Sequence, residues 1–212
     1  MINTNLEDRL AIFDVDNTLL DSSLKLSYDV VNALAGCGVQ IRPEEVKGDW
    51  YALAQSYGVS KDQFSAEFNK RKSWERSLLD GEVPIFPETI ACLETLRQKG
   101  VRMAVLSRSI PEYTDQKLKF YGLDKYFDGV VNVDPKAESK VEGALELVRE
   151  LDTSKFSRIY CIGDKEEDVS VTKEISKEYG LNSHGIYVNR QGGKLEGYAS
   201  VRSLSEVPGL IG

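Results

Sequence analysis

Hydrophobic and polar positions fall into two textures along this chain, and the change between them divides it. Leu10-Ala11-Ile12-Phe13 is an uninterrupted apolar run of the length of one buried strand. From Ser22 to about Asp80 the periodicity is helical. Leu26, Val30, Val31 and Leu34 mark one amphipathic stretch that Gly36 and Gly38 end. Pro43-Glu44-Glu45 opens a second stretch through Ala52 and Tyr57, interrupted at Gly48. Ser60-Lys61-Asp62 starts a third that runs through Phe64, Phe68 and Trp74 to Leu79. No strand is predicted in this segment.

After Gly81–Pro87, read as a return linker, the texture becomes an alternation. Helices are predicted over Glu88–Lys99, Pro111–Tyr121, Glu138–Leu151 and Glu166–Tyr179. Strands are predicted at Val101–Leu106, Gly129–Val131, Arg158–Ile162 and Gly185–Val188, the last of these closing the set. Strands separated by helices of this length require right-handed crossovers. The expected fold class is therefore α/β: a doubly wound, mostly parallel, Rossmann-like sheet with helices on both faces. Residues 1–20 and 82–212 form this core, and residues 21–81 form a small all-helical insertion after the first strand. The insertion is expected to lie over the carboxyl ends of the strands as a lid.

Composition narrows the class without naming a reaction. The 212 residues are enough for one core domain and a small accessory one. No apolar run approaches the roughly 20 residues that span a bilayer. Met1–Arg9 lacks a basic flank followed by an apolar segment, so no signal peptide is read there. Cys37, Cys92 and Cys161 are odd in number and widely spaced, which favours neither zinc nor a disulfide framework. Together these features point to a reducing cytoplasm. The formal charge of −7 argues against nucleic acid as a partner, and no membrane partner is expected.

Chemistry gathers where the predicted strands end, the usual place for ligands in parallel α/β sheets. The first strand delivers Asp14, Asp16 and Thr18, the second Ser107 and Arg108, and the fourth Gly163, Asp164 and, a helical turn later, Asp168. Lys140 stands near the start of the preceding helix. Alone, Asp14-Val15-Asp16-Asn17 reads equally well as a turn. With the other strand ends, three or four carboxylates, one lysine and hydroxyl donors point to a hard cation and an oxyanion substrate. An oxygen-only ligand set favours Mg²⁺. Asp14 could attack phosphorus while Asp16 moves a proton to and from the leaving oxygen.

These segments resemble the haloacid dehalogenase-like superfamily of hydrolases, in the phosphoglycolate phosphatase-like group with a helical cap. Phe13-Asp14-Val15-Asp16-Asn17-Thr18-Leu19 is similar to its first motif, Ala104-Val105-Leu106-Ser107 to its second, and Ile162-Gly163-Asp164-Lys165-Glu166-Glu167-Asp168 to its fourth. The third motif is a lone lysine, met by Lys140 or by Lys136 after Asp134-Pro135. The resemblance implies that Asp14 forms a phospho-aspartyl intermediate and that Asp16 is the general acid/base. It also implies Mg²⁺ held by Asp14, the Asp16 main-chain carbonyl, Asp164 and Asp168. By the resemblance Ser107 and Lys140 would bind the phosphoryl oxygens; Thr18 is a further hydroxyl donor, and Arg108, by residue type, is either a phosphate ligand or a solvated side chain. The chain departs from related sequences at Arg108, often Asn; at Glu88, often Gly; and at Lys165, often a small residue.

In such relatives, substrate choice lies in the cap, where Gly48, Asp49, Trp50 and Tyr51 are the candidates for substrate contact; packing is the competing role for Trp50. Lys70-Arg71-Lys72 with Arg76 is read as a solvated helix face, and His184 as structural. The expected activity is a Mg²⁺-dependent phosphatase acting on a small phosphorylated metabolite. A phosphomutase of the same superfamily is the alternative. A dehalogenase is disfavoured, since it needs no second acid at Asp16, and a non-catalytic binding module is disfavoured by the intact motifs.

Overall fold

The computed structural model describes residues 9–70, 74–135, 137 and 139–212. It separates into two compact units, one made of residues 1–20 and 85–212, the other of residues 21–84.

The first unit begins with β1 (Arg9–Phe13), buried along its whole length. The second unit follows and is helical: α1 (Ser23–Gly36), α2 (Trp50–Ser56), α3 (Lys61–Asn69) and α4 (Trp74–Leu79). Pro43–Glu45 forms only a 3-10 turn, ended by the extended backbone of Val46, and Gly48, with φ of 70°, turns left-handed before the second piece. The predicted stretch from Pro43 to Tyr57 is thus two short pieces. Asp49 starts the second by accepting the Ala52 N–H at 2.8 Å, and Ser60 and Gln63 cap α3 reciprocally. Val30, Ala33, Leu34, Ala54, Val59 and Phe64 form the core of this unit. Arg71 and Lys72 lie outside the described residues, as does the predicted helical continuity from 71 to 73.

The chain returns to the first unit as α5 (Thr89–Gln98), β2 (Arg102–Ser107), α6 (Pro111–Phe120), β3 (Gly129–Asn132), α7 (Val141–Glu150), β4 (Arg158–Gly163), α8 (Glu166–Tyr179), β5 (Asn182–Val188), β6 (Ala199–Val201) and α9 (Val207–Leu210). Among the described residues the strands form one sheet in the order β3-β2-β1-β4-β5-β6, and every neighbouring pair is parallel. This is the doubly wound order, with β1 central and the reversal between β1 and β4. β6 is an addition to the predicted set. Its three residues are too few to carry a period-2 signal, and pairing with β5 defines it.

Alternation along β1 sets the layers. Leu10 and Ile12 join Leu106, Ala144, Leu147 and Ile159 in one core cluster, with Cys161 buried in the same layer. Phe13 meets Phe127 edge-on at 6.3 Å. His184 stacks on Tyr160 at 5.3 Å within β5 and β4, a structural position as expected. Burial pushes the Cys92 thiol up to about 12 and raises that of Cys161 as well, so both behave as small core residues. Among the described residues no helix is long and apolar enough to cross a bilayer.

Candidate active site at the carboxyl ends of the central strands

The turn after β1 is built from its own backbone. Leu19 and Leu20 donate to the Val15 carbonyl, while Asn17 donates to Leu20 at 2.7 Å and takes a left-handed φ of 64°. Asparagine tolerates that conformation better than most residues. The Asp14 N–H still belongs to the ladder, donating to Ile162 of β4 at 2.9 Å. Asp14 is therefore the first residue past the strand and is held rigidly, at 8% exposure.

Three carboxylates meet at this point. Ligand oxygens of Asp14, Asp164 and Asp168 lie within 4.8 Å of one another. Asp164 follows directly on β4. Asp168 sits in the first turn of α8, where its Oδ2 accepts the Lys165 N–H at 2.8 Å. Gly163 permits this approach, because a Cβ there would overlap the Asp168 side chain. Lys140, immediately before α7 and 3% exposed, enters from the other side. Its Nζ lies 2.6 Å from Asp14 Oδ1, 2.6 Å from Asp168 Oδ1 and 3.1 Å from the Leu106 carbonyl. Lys136, the alternative lysine, lies outside the described residues.

Electrostatics follow from the crowding. Burial raises the Asp164 carboxyl, and the charges of Asp14 and Asp168 push it further, to about 8. Burial likewise lifts Asp14, against the pull of Lys140 and with a push from Asp168, to about 6. Burial works against the Lys140 charge, but Asp14 and Asp168 outweigh it and hold the ammonium above its usual range. The donor set fits a hard dication. Three carboxylates, once ionised, leave two negative charges against one lysine, and Asp164 Oδ1 is buried without a hydrogen-bond partner. Such an atom costs free energy unless something binds it.

A pH dependence results. In metal-free protein the folded state holds protons on Asp164 and Asp14 that the unfolded chain releases near 3.8. Their contribution to stability is therefore complete below about pH 4 and is lost as pH rises through about 6 and then about 8. Urea unfolding in chelator should show this pair weakening the fold between pH 5 and pH 8.

Several predicted site residues have partners of a different kind from those expected. Thr18 is fully buried, and its hydroxyl donates to Asp14 Oδ2 at 3.4 Å, so it supports the carboxylate from within the turn. Ser107, the last residue of β2 and 1% exposed, brings its strand end to the same edge. Arg108 is committed elsewhere: its guanidinium pairs with Glu167 at 2.8 Å and donates to the Pro135 and Ala137 carbonyls. It ties the loop after β3 to the start of α8. Lys165 is exposed at the head of α8.

In the helical unit, Trp50 stacks on Phe68 at 5.9 Å, and Tyr51 packs on Phe64 and accepts the Ser65 hydroxyl at 3.2 Å. Asp49 is spent on its helix cap and Gly48 on its turn. Trp50 and Tyr51 are half-buried by these ring contacts, while Gly48 and Asp49 are exposed.

Two features had no sequence signal at the motif level. Lys117 of α6 is fully buried, with Nζ 2.8 Å from both Asp16 oxygens. A lysine on the same helical stripe as Tyr113, Thr114 and Leu118 was the available clue. Arg190, just after β5, lies over the Phe86 ring at 3.3 Å, pairs with Glu88 and donates to the Thr18 carbonyl at 3.1 Å. Glu88, which departs from related sequences, is thereby explained: Arg190 outweighs its burial and lowers its carboxyl, and Ser203 donates to it.

The haloacid dehalogenase-like hydrolase family matches residues 9–175. The chain belongs to that family of hydrolases. It is 28% identical over 196 residues to phosphoglycolate phosphatase of Aquifex aeolicus, covering 86% of this chain and 89% of that one. It is also 28% identical over 206 residues to phosphoglycolate phosphatase of Vibrio parahaemolyticus, covering 86% and 88%. A predicted phosphatase from Clostridium acetobutylicum shares the fold, with a TM-score of 0.77, 20% identity, and coverage of 96% of this chain and 97% of that one. The chain is an enzyme of the phosphatase group within the family.

Proposed function

We propose that this enzyme is a Mg²⁺-dependent phosphomonoesterase for a small phosphorylated metabolite, working through a phospho-aspartyl intermediate on Asp14. The observation that carries the reading is the junction of Asp14, Asp164 and Asp168 around buried Lys140 at the end of β1. Asp14, Asp164, Asp168 and the Asp16 main-chain carbonyl would hold Mg²⁺. When bound there, Mg²⁺ would supply charge neutralisation of the phosphoryl oxygens, easing approach of the Asp14 carboxylate to phosphorus.

Every other part belongs to the chain. Asp14 attacks phosphorus with a carboxylate oxygen; a new P–O bond forms as the bond to the leaving oxygen breaks. Asp16 gives that oxygen a proton. Water then attacks the same phosphorus, Asp16 takes the water proton, and the Asp14–phosphorus bond breaks to free phosphate. Lys140 orients Asp14 and offers positive charge to the phosphoryl oxygens, and Ser107 lies at the adjacent strand end to receive them.

The names of the two relatives support 2-phosphoglycolate as the first compound to test. A panel of 2-phosphoglycolate, sugar phosphates and nucleoside monophosphates should show Mg²⁺-dependent phosphate release that excess chelator stops. Release unaffected by chelator overturns the metal assignment, and absence of release across the panel overturns the phosphatase substrate class. Because Asp164 must lose its proton to bind a cation, Mg²⁺ affinity should also tighten from pH 6 to pH 8. Calorimetric titration at the two values checks that.

A further inference from the structure

We infer that Lys117 is a positioning residue for proton transfer: it fixes the Asp16 carboxylate so that Asp16 can serve the leaving oxygen. The inference rests on the phosphatase reading above and adds α6 to the parts of the enzyme that its chemistry needs.

The two aspartates of the first turn each have a buried lysine from a different helix. Lys140, before α7, serves Asp14 and Asp168. Lys117, from α6, serves Asp16, with equal 2.8 Å distances to Oδ1 and Oδ2. Lys117 is fully buried while the Asp16 side chain is 20% exposed, so the cation is the fixed member and the carboxylate faces the open side. Contact with both oxygens sets the plane of the carboxylate as well as its place.

The helix beneath the lysine is itself anchored. Pro111 starts it, and the Thr114 hydroxyl donates at 2.6 Å to Asn132, at the end of β3. Lys117 follows Thr114 by three residues and Tyr113 by four, on the buried stripe of α6. That stripe would pack with an aliphatic residue at this place. Replacing a buried ion pair by apolar residues is commonly neutral or stabilising, so stability gives little reason to keep a lysine here. Proton transfer gives one, since it needs its donor held within hydrogen-bond reach of the reacting oxygen.

The role has a distinctive kinetic signature. An alkoxide leaving group needs the Asp16 proton as it departs, whereas 4-nitrophenolate departs almost without help. Lys117→Met should lower kcat/KM for the best alkyl monoester of the panel by about 30- to 100-fold. For 4-nitrophenyl phosphate the loss should stay within about threefold, because kcat/KM reports only steps through leaving-group departure. Lys117→Arg should recover part of the alkyl-ester rate.

An equal loss on both substrates, or no loss on either, overturns the positioning role. If Lys117→Met does not fold, Asp16→Asn combined with Lys117→Met removes both charges together. That pair should be no slower than Asp16→Asn alone, and a further large drop overturns the inference. Wild-type turnover of both substrates separates the two failures: without it the phosphatase reading falls, and with it only the positioning role is at stake.

Discussion

Asp14→Asn is expected to lower Mg²⁺-dependent phosphate release by about three orders of magnitude or more, the usual scale for loss of a covalent nucleophile. The amide keeps the shape of the carboxylate but cannot attack phosphorus. Fold loss is not the expected cause. Asp14 is one of three crowded acids, and removing its charge still leaves Lys140 paired with Asp168 at 2.6 Å. Thermal unfolding of the variant should therefore stay close to that of the wild type while turnover collapses. Incubation with ³²P-labelled substrate should label the wild type with a hydroxylamine-sensitive bond and leave Asp14→Asn unlabelled. Full turnover by the variant would remove Asp14 from the nucleophile's role.

Lys140→Met should act on stability as well as rate. Lys140 is almost wholly buried and is the ammonium between Asp14 and Asp168. Removing one partner of a buried ion pair typically costs about 3–5 kcal/mol, because the remaining charge is stranded. Here two carboxylates remain, already crowded by Asp164, whose own carboxyl is pushed up to about 8. In chelator at pH 7.5 the variant should unfold at a markedly lower urea concentration than the wild type. The deficit should shrink at pH 5, where protonation relieves the repulsion, and also when Mg²⁺ is added at pH 7.5. A deficit independent of both pH and metal would mean that packing of the lysine stem, rather than its charge, holds the site.

The strand ends were legible because the physics that makes them is local. Leu10–Phe13 and Ile159–Ile162 are runs suited to a strand buried on both faces; Asp14 follows the first directly, and Gly163-Asp164 follows the second. Gly163-Asp164 is readable for the same reason, since a glycine is needed where Asp168 folds back onto the chain. Lys140 could be placed by its distance before Asp164, although sequence left Lys136 as its rival.

Long-range pairings were not legible. Arg108 looked like an oxyanion ligand by residue type, but its actual partners are Glu167 and two carbonyls from a loop more than twenty-five residues away. Arg190 and Glu88 are 102 positions apart, and neither position has a periodic pattern that forecasts the other. Trp50 and Tyr51 suit a ligand cleft and a small core equally well by composition. Their ring contacts with Phe68 and Phe64 could be read only from the fold.

Asp14-Val15-Asp16-Asn17-Thr18 shows the division in one turn. By itself the sequence determined that two acids stand directly after a buried strand, with an asparagine suited to the left-handed bend between them and Leu20. It also determined, through apolar runs and glycine breaks, that parallel strands carry these acids to a common edge. Tertiary structure alone decided how the acids differ. Asp14 meets Lys140 from before α7 and shares its space with Asp164 and Asp168, whereas Asp16 meets Lys117 from α6. Those lysines lie 126 and 101 residues away from their partners. Charge at close range fixes what each carboxylate can do, and folding, rather than chain order, sets that range.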